Sequence, residues 1–191
     1  MLTLTEHITQ TLEVKQSKFI AHLMPYHLYK EILFELKKAH PKARHFVTAF
    51  RYLNKFDQIV EGSSDDGEPK GTSGKPTLSV LQGHDLINAA VITVRYFGGT
   101  KLGTGGLVRA YSDATNLVLD VAELAPYVKL ELLSFHVNYS DLGMVEYALE
   151  QAEINRIDKT FEAAHVTMII SAAAEALQVF QSDVKRLISI I

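Results

Sequence analysis

Besides the flanking Glu61, three acids (Asp65, Asp66, Glu68) and five cations (Lys70, Lys75, Arg95, Lys101, Arg109) fall within two glycine-rich segments, EGSSDDGEPKGTSGKP from Glu61 to Pro76 and RYFGGTKLGTGGLVRAY from Arg95 to Tyr111. Ten of the eleven glycines lie between Glu61 and Tyr111, nine of them in these two segments. Glycine admits positive φ and lets another group come close to the backbone, so both segments read as backbone shaped to present or receive something. The chemistry open to such a set is anion binding. GlyThrGlyGly at 103 to 106 opens a helical pattern, where unpaired N–H groups and the helix dipole favour negative charge. The N–H groups of Gly105 and Gly106 are expected to face an anion within reach of Lys101 or Arg109. A phosphate of RNA, a phosphorylated small molecule or a partner's carboxylate would fit. A tight turn with glycines for steric reasons alone is the plain alternative.

Better-known chemistries fail at particular positions. A phosphate-binding P-loop over GTSGKPT requires glycine five residues before Gly74 and a hydroxyl after Lys75, where the chain has Pro69 and Pro76. The dinucleotide pattern places a third glycine at Val108, and that space is needed for close helix packing. Asp65, Asp66 and Glu68 lack the alternating ligand spacing of a calcium loop and read as turn formers and exposed hydrogen-bond acceptors. No HExxH pair and no GxSxG elbow occurs. Without cysteine, thiolate catalysis, disulfides and cysteine-ligated metal are excluded. No cofactor or metal is expected, and the sequence offers no complete catalytic constellation.

The net charge of −3 argues against wholesale attraction to nucleic acid or anionic membrane, but it is unevenly spread. Residues 1–126 carry 14 Lys and Arg against 13 Asp and Glu; residues 127–191 carry 5 against 9. An anionic partner should therefore meet the first part, where Lys37, Lys38, Lys42 and Arg44, with His40 and His45, add an acid-free stretch. No apolar run approaches a membrane span, and the N-terminus lacks the order of a signal peptide, so the cytoplasm is the expected compartment.

Positioning these residues requires a scaffold of strands and helices. A strand is expected from Val14 to Tyr26, a helix from Leu28 to Ala39 stopped by Pro41, and strands over His45 to Tyr52 and Phe56 to Glu61. A loop of about fifteen residues follows, long enough to suggest a functional segment. Pro76 can start a short helix through Leu81. AAVITVRYF, Ala89 to Phe97, is the best candidate for a central strand. Leu107, Tyr111, Ala114, Val118 and Val121 then mark one face of a helix. From Lys129 the order is strand (Leu130 to Tyr139), helix (Leu142 to Ala152), strands (Ile154 to Thr160, His165 to Ser171) and helix (Ala174 to Leu187). This is a split βαβ, ferredoxin-like unit whose last strand, within Ile188 to Ile191, is short or truncated. The expected division is a domain of residues 1–126 and another of 127–191, with a linker near Pro126.

SDDGEPKGTSGKP (Ser64 to Pro76) and VRYFGGTKLGTGGLVRAY (Val94 to Tyr111), with QSKFIA (Gln16 to Ala21) and HPKARH (His40 to His45), resemble the IMPACT/YigZ family over both expected domains. The resemblance implies an α+β chain: an N-terminal ribosomal-protein-S5 domain 2-like fold followed by a ferredoxin-like domain, similar to domains IV and V of translation elongation factor G. It also implies a surface comprising Asp65, Asp66, Glu68, Lys70, Thr72, Lys75, Arg95, Gly98, Gly99, Lys101, Gly105, Gly106 and Arg109. Eukaryotic relatives carry an additional RWD domain and regulate translation under starvation by competing for an activator of the eIF2α kinase. That partnership is not carried over to a chain that begins at the IMPACT domain, as expected of a bacterial member.

The leading expectation is a non-enzymatic, translation-associated regulator that binds RNA, the ribosome or a translation-related protein through its N-terminal glycine-rich face. An enzyme acting on a phosphorylated small molecule and a purely protein-binding regulator are the alternatives. Fold likeness does not choose among them.

Overall fold

A computed structural model describes residues 1–191 as two compact units, Met1–Tyr127 and Val128–Ile191. Both mix helices with antiparallel sheets, giving the α+β class. No helix is long and apolar enough to cross a membrane.

In the first unit, β1 (Leu2–Thr3) precedes β2 (Ile8–Val14), β3 (Ser17–Pro25), α1 (Tyr29–Ala39), β4 (His45–Leu53), β5 (Ile59–Ser64), α2 (Gly74–Gly83), β6 (Ala89–Tyr96), α3 (Gly103–Leu119) and β7 (Ala125–Pro126). The main sheet has the order β2-β3-β6-β4-β5 and is antiparallel throughout. β6 lies in the middle, and its residues from Ala89 to Arg95 are all buried, as its uninterrupted apolar run predicts for a strand covered on both faces. α2 and α3 cover one face through Leu81, Leu107, Tyr111 and Val118; α1 covers the other, where Leu36 packs with Met24, Phe46 and Ile92. The buried positions of α3 recur at alternating intervals of three and one from Leu107 to Leu119, the spacing of a single helical stripe.

Several boundaries differ from those expected. The strand before Ser17 is half of a hairpin closed by Lys15 and Gln16, both at positive φ (46° and 65°). That is the backbone of a two-residue hairpin turn, reached without the Asn-Gly signal that announces it. The strand expected over Phe56 to Glu61 runs from Ile59 to Ser64, and α2 starts at Gly74 rather than Pro76. The connecting loop thus shrinks from about fifteen residues to the nine of 65–73. Val121 lies beyond the end of α3 and is exposed, so the stripe closes at Leu119. Pro126 is no free linker, since β7 pairs with β1 through Leu2↔Pro126.

The second unit runs β8 (Leu130–Val137), α4 (Leu142–Gln151), β9 (Arg156–Phe161), β10 (Val166–Ala173), α5 (Ala174–Val184) and β11 (Ile188–Ile190). The sheet order β11-β8-β10-β9 is that of a ferredoxin-like unit, its fourth strand three residues long. α5 stops at Val184, short of the expected Leu187, leaving chain for that strand. Phe135, Val145, Met168 and Phe180 are fully buried in a core of their own.

Candidate anion-binding site

The two glycine-rich segments meet on one side of the N-terminal unit because their flanking elements are neighbours. The first leaves β5 and enters α2, the second leaves β6 and enters α3, and α2 and α3 pack together on the same sheet face. A cavity of about 350 Å³ lies between them, lined by Glu68 and Pro69 from the first segment and by Arg95, Phe97, Lys101 and the start of α3 from the second. A neighbouring groove of about 430 Å³ is bounded by Gly71 and Lys75 on one side and by Val108 and Ser112 on the other.

Asp65 and Glu68 are structural, which corrects their reading as exposed acceptors, whereas Asp66 is an exposed acceptor. Asp65 Oδ2 accepts from Gly71 N at 2.7 Å, while Oδ1 accepts from Ser73 Oγ at 2.7 Å, Gly74 N at 2.8 Å and Ser73 N at 3.2 Å. This carboxylate, eight residues upstream of Ser73, thereby performs the N-cap role for α2. Burial pushes its pKa up, but the donors of Gly71, Ser73 and Gly74 outweigh burial and hold it below the ordinary value. A side chain at Gly74 would place its Cβ 2.8 Å from the Ser64 backbone, so the helix starts where only glycine fits. Asp66 Oδ2 accepts from Phe46 N at 2.6 Å, and its carbonyl accepts from His45 Nδ1 at 2.8 Å.

Glu68 is the most enclosed of the three, 8% exposed. Its Oε1 accepts from Arg95 Nη1 at 2.5 Å and from Tyr111 OH at 2.8 Å. Burial, reinforced by the Glu68 charge, raises the Tyr111 pKa, so the phenol stays a donor. Arg95, 6% exposed, lies with its guanidinium 5.3 Å from the Phe19 ring centroid and 5.9 Å from that of Phe97. Its Nε is buried and has no hydrogen-bond partner.

Of the residues carried over as a surface, Asp66, Lys70, Lys75, Gly99, Lys101, Gly105 and Arg109 are exposed. Thr72 is buried and donates through Oγ1 to the Pro69 carbonyl at 2.7 Å, so it shapes the loop rather than its outer face. Gly98 is structural: a Cβ there would lie 2.0–2.2 Å from the backbone of Gln16 and Ser17. Its N–H donates to Ser17 Oγ at 3.1 Å, seating the second segment against the β2–β3 hairpin. The helix start divides the expected pair Gly105 and Gly106. With Gly103 as the first helical residue, the N–H groups without intrahelical acceptors are those of 102 to 105, and that of Gly106 belongs to the helix. Leu102, Gly103 and Thr104 line the cavity; Arg109 lines neither cavity. Sequence reasoning missed Phe97, which is 48% exposed at the cavity, and the polar task of Tyr111. A tyrosine in an apolar helical stripe was itself a signal, because a buried hydroxyl needs a partner.

Chemically, the cavity gathers a buried guanidinium edge, a lysine, the start of a 17-residue helix and an exposed aromatic ring. The chain that carries it is a two-unit α+β protein. Residues 15–119 match the model of the Impact N-terminal domain, and residues 135–189 match a domain of unknown function, DUF1949. An IMPACT family member of Haemophilus influenzae is 34% identical over 90% of this chain and 84% of its own length. The IMPACT family member YigZ of Escherichia coli is 33% identical over 90% and 85%. A crystal structure of a hypothetical protein superposes with a TM-score of 0.72 at 29% identity, covering 100% of this chain and 95% of that one. The chain belongs to the IMPACT family.

Proposed function

We propose that this protein is a non-enzymatic, translation-associated regulator of the cytoplasm that binds RNA at the cavity between loop 65–73 and the start of α3. The carrying observation is that Arg95 and Lys101 line this cavity beside the helix start, together with the exposed ring of Phe97. An RNA phosphate there meets both cations and the free N–H groups of the helix start. Phe97 offers a ring on which a base can stack, and exposed Lys70, Lys75, Lys101 and Arg109 extend phosphate contacts outward. The role in translation is what IMPACT membership supports.

Fluorescence anisotropy with labelled single-stranded RNA tests this reading. Replacing Lys70, Lys75, Lys101 and Arg109 together by alanine should weaken binding and flatten its salt dependence, each lost phosphate contact removing about 0.7 from the slope of log affinity against log salt. Phe97→Ala should weaken binding with little change in that slope. Absence of binding by the wild type at low salt, or an unchanged affinity and slope in the fourfold variant, would overturn it. The cavity volume also falls within the range of small-ligand pockets, which favours a phosphorylated small molecule as the second reading. Saturable binding of a mononucleotide, with weak salt dependence and no binding of RNA, would favour that reading instead.

A further inference from the structure

In the second unit, we propose that His136, Glu162 and His165 form a binding site for a divalent transition-metal ion of the zinc class. His136 lies on β8, Glu162 directly follows β9, and His165 directly precedes β10. Register brings them together: His136 is paired with Thr167, two residues beyond His165, and Glu162 N donates to the His165 carbonyl at 2.9 Å across the β9–β10 turn. One ligand atom from each of the three side chains lies within 4.8 Å of the others. The two imidazole rings meet edge to face, 4.1 Å between centroids.

Thr167 organises the set. Its Oγ1 donates to Glu162 Oε1 at 2.6 Å and lies 3.0 Å from His136 Nδ1. A hydroxyl has one proton, and here the carboxylate takes it, so the imidazole must donate Nδ1–H and keep a bare lone pair on Nε2. Fixing a histidine tautomer through its other nitrogen is the usual work of a group behind a metal ligand. His165 Nε2 is buried without a hydrogen-bond partner, and its approach to Glu162 Oε2, 3.4 Å, is an ion-pair distance rather than a hydrogen bond. Two imidazoles and one carboxylate suit zinc and its neighbours, whereas calcium and magnesium call for oxygen ligands. Three protein ligands leave at least one position for water, and a bound ion would tie β8 to the β9–β10 hairpin.

Titration of the full chain, stripped with EDTA, with Co²⁺ and then Zn²⁺ tests the proposal. We expect one Co²⁺ per chain with visible d–d absorption, displaced by Zn²⁺ and unaffected by excess Mg²⁺. His165→Ala and Glu162→Gln should each weaken binding at least tenfold, Thr167→Val about tenfold through the ligands it orients, and His84→Ala in the other unit should leave it unchanged. Glu162 is exposed, so the isosteric Glu162→Gln variant keeps the experiment readable if a histidine variant fails to fold. No saturable Co²⁺ signal in the wild type, or an affinity that Glu162→Gln leaves intact, would overturn the site.

Discussion

In the first glycine-rich segment Asp65 and Glu68 turn inward, whereas its lysines and most of the cations of the second segment turn outward. In the first, Asp65 caps α2 and Glu68 is sealed beneath the loop against Arg95 and Tyr111. In the second, Arg95 alone is enclosed, while Lys101 and Arg109 stand in solvent beside the exposed backbone of Gly99 and Gly105. The acids therefore build the surface on which the cations are displayed. Inward charges should govern stability, and outward ones should govern what the surface holds.

The largest test of that division is Glu68→Ala, which leaves the Arg95 charge buried and the Tyr111 hydroxyl without its acceptor. Unfolding by urea should show a loss of about 3–5 kcal/mol, the cost of breaking one side of a buried pair. A loss no larger than that of a surface lysine variant would break the comparison. Glu68→Gln, which keeps an acceptor for Tyr111, should lie between the wild type and Glu68→Ala.

Asp65→Ala should cost about 1–2 kcal/mol, as loss of an N-cap does. Its pH dependence sharpens the comparison. The folded pKa lies below the ordinary 3.8, so the carboxylate's stabilisation is fully present above that value and is lost as pH falls through the folded value. The gap in melting temperature between wild type and Asp65→Ala should be constant near neutrality and narrow as pH drops below about 4. A gap that persists unchanged into acid would assign the effect to packing rather than charge.

The smallest effect is expected for the outward cations. Lys70→Ala, Lys75→Ala, Lys101→Ala and Arg109→Ala should each shift stability by no more than ~0.5 kcal/mol in urea unfolding. A larger loss would show that the outward cations also hold the fold.

What the amino-acid sequence determined by itself is what short-range pattern encodes. The apolar run of Ala89 to Phe97 marked the central strand, the helical recurrence of Leu107, Tyr111, Ala114 and Val118 marked α3, and the element order after Lys129 marked a ferredoxin-like unit. These are legible because one segment's periodicity reports the face it must bury. The β2–β3 hairpin was not, because Lys15 and Gln16 reach positive φ without glycine or asparagine, held by pairing on both sides. Glu68 looked exposed because its neighbours are polar; its partners stand 27 and 43 residues away, at distances no local pattern spans. The glycines of 98 and 74 were visible as glycines, yet only the passing backbone of Gln16, Ser17 and Ser64 explains them. His136, Glu162 and His165 likewise carry no shared motif and are gathered by strand register alone. Local propensity chooses the elements, whereas burial and pairing between distant strands decide which polar groups face each other and which remain for a ligand.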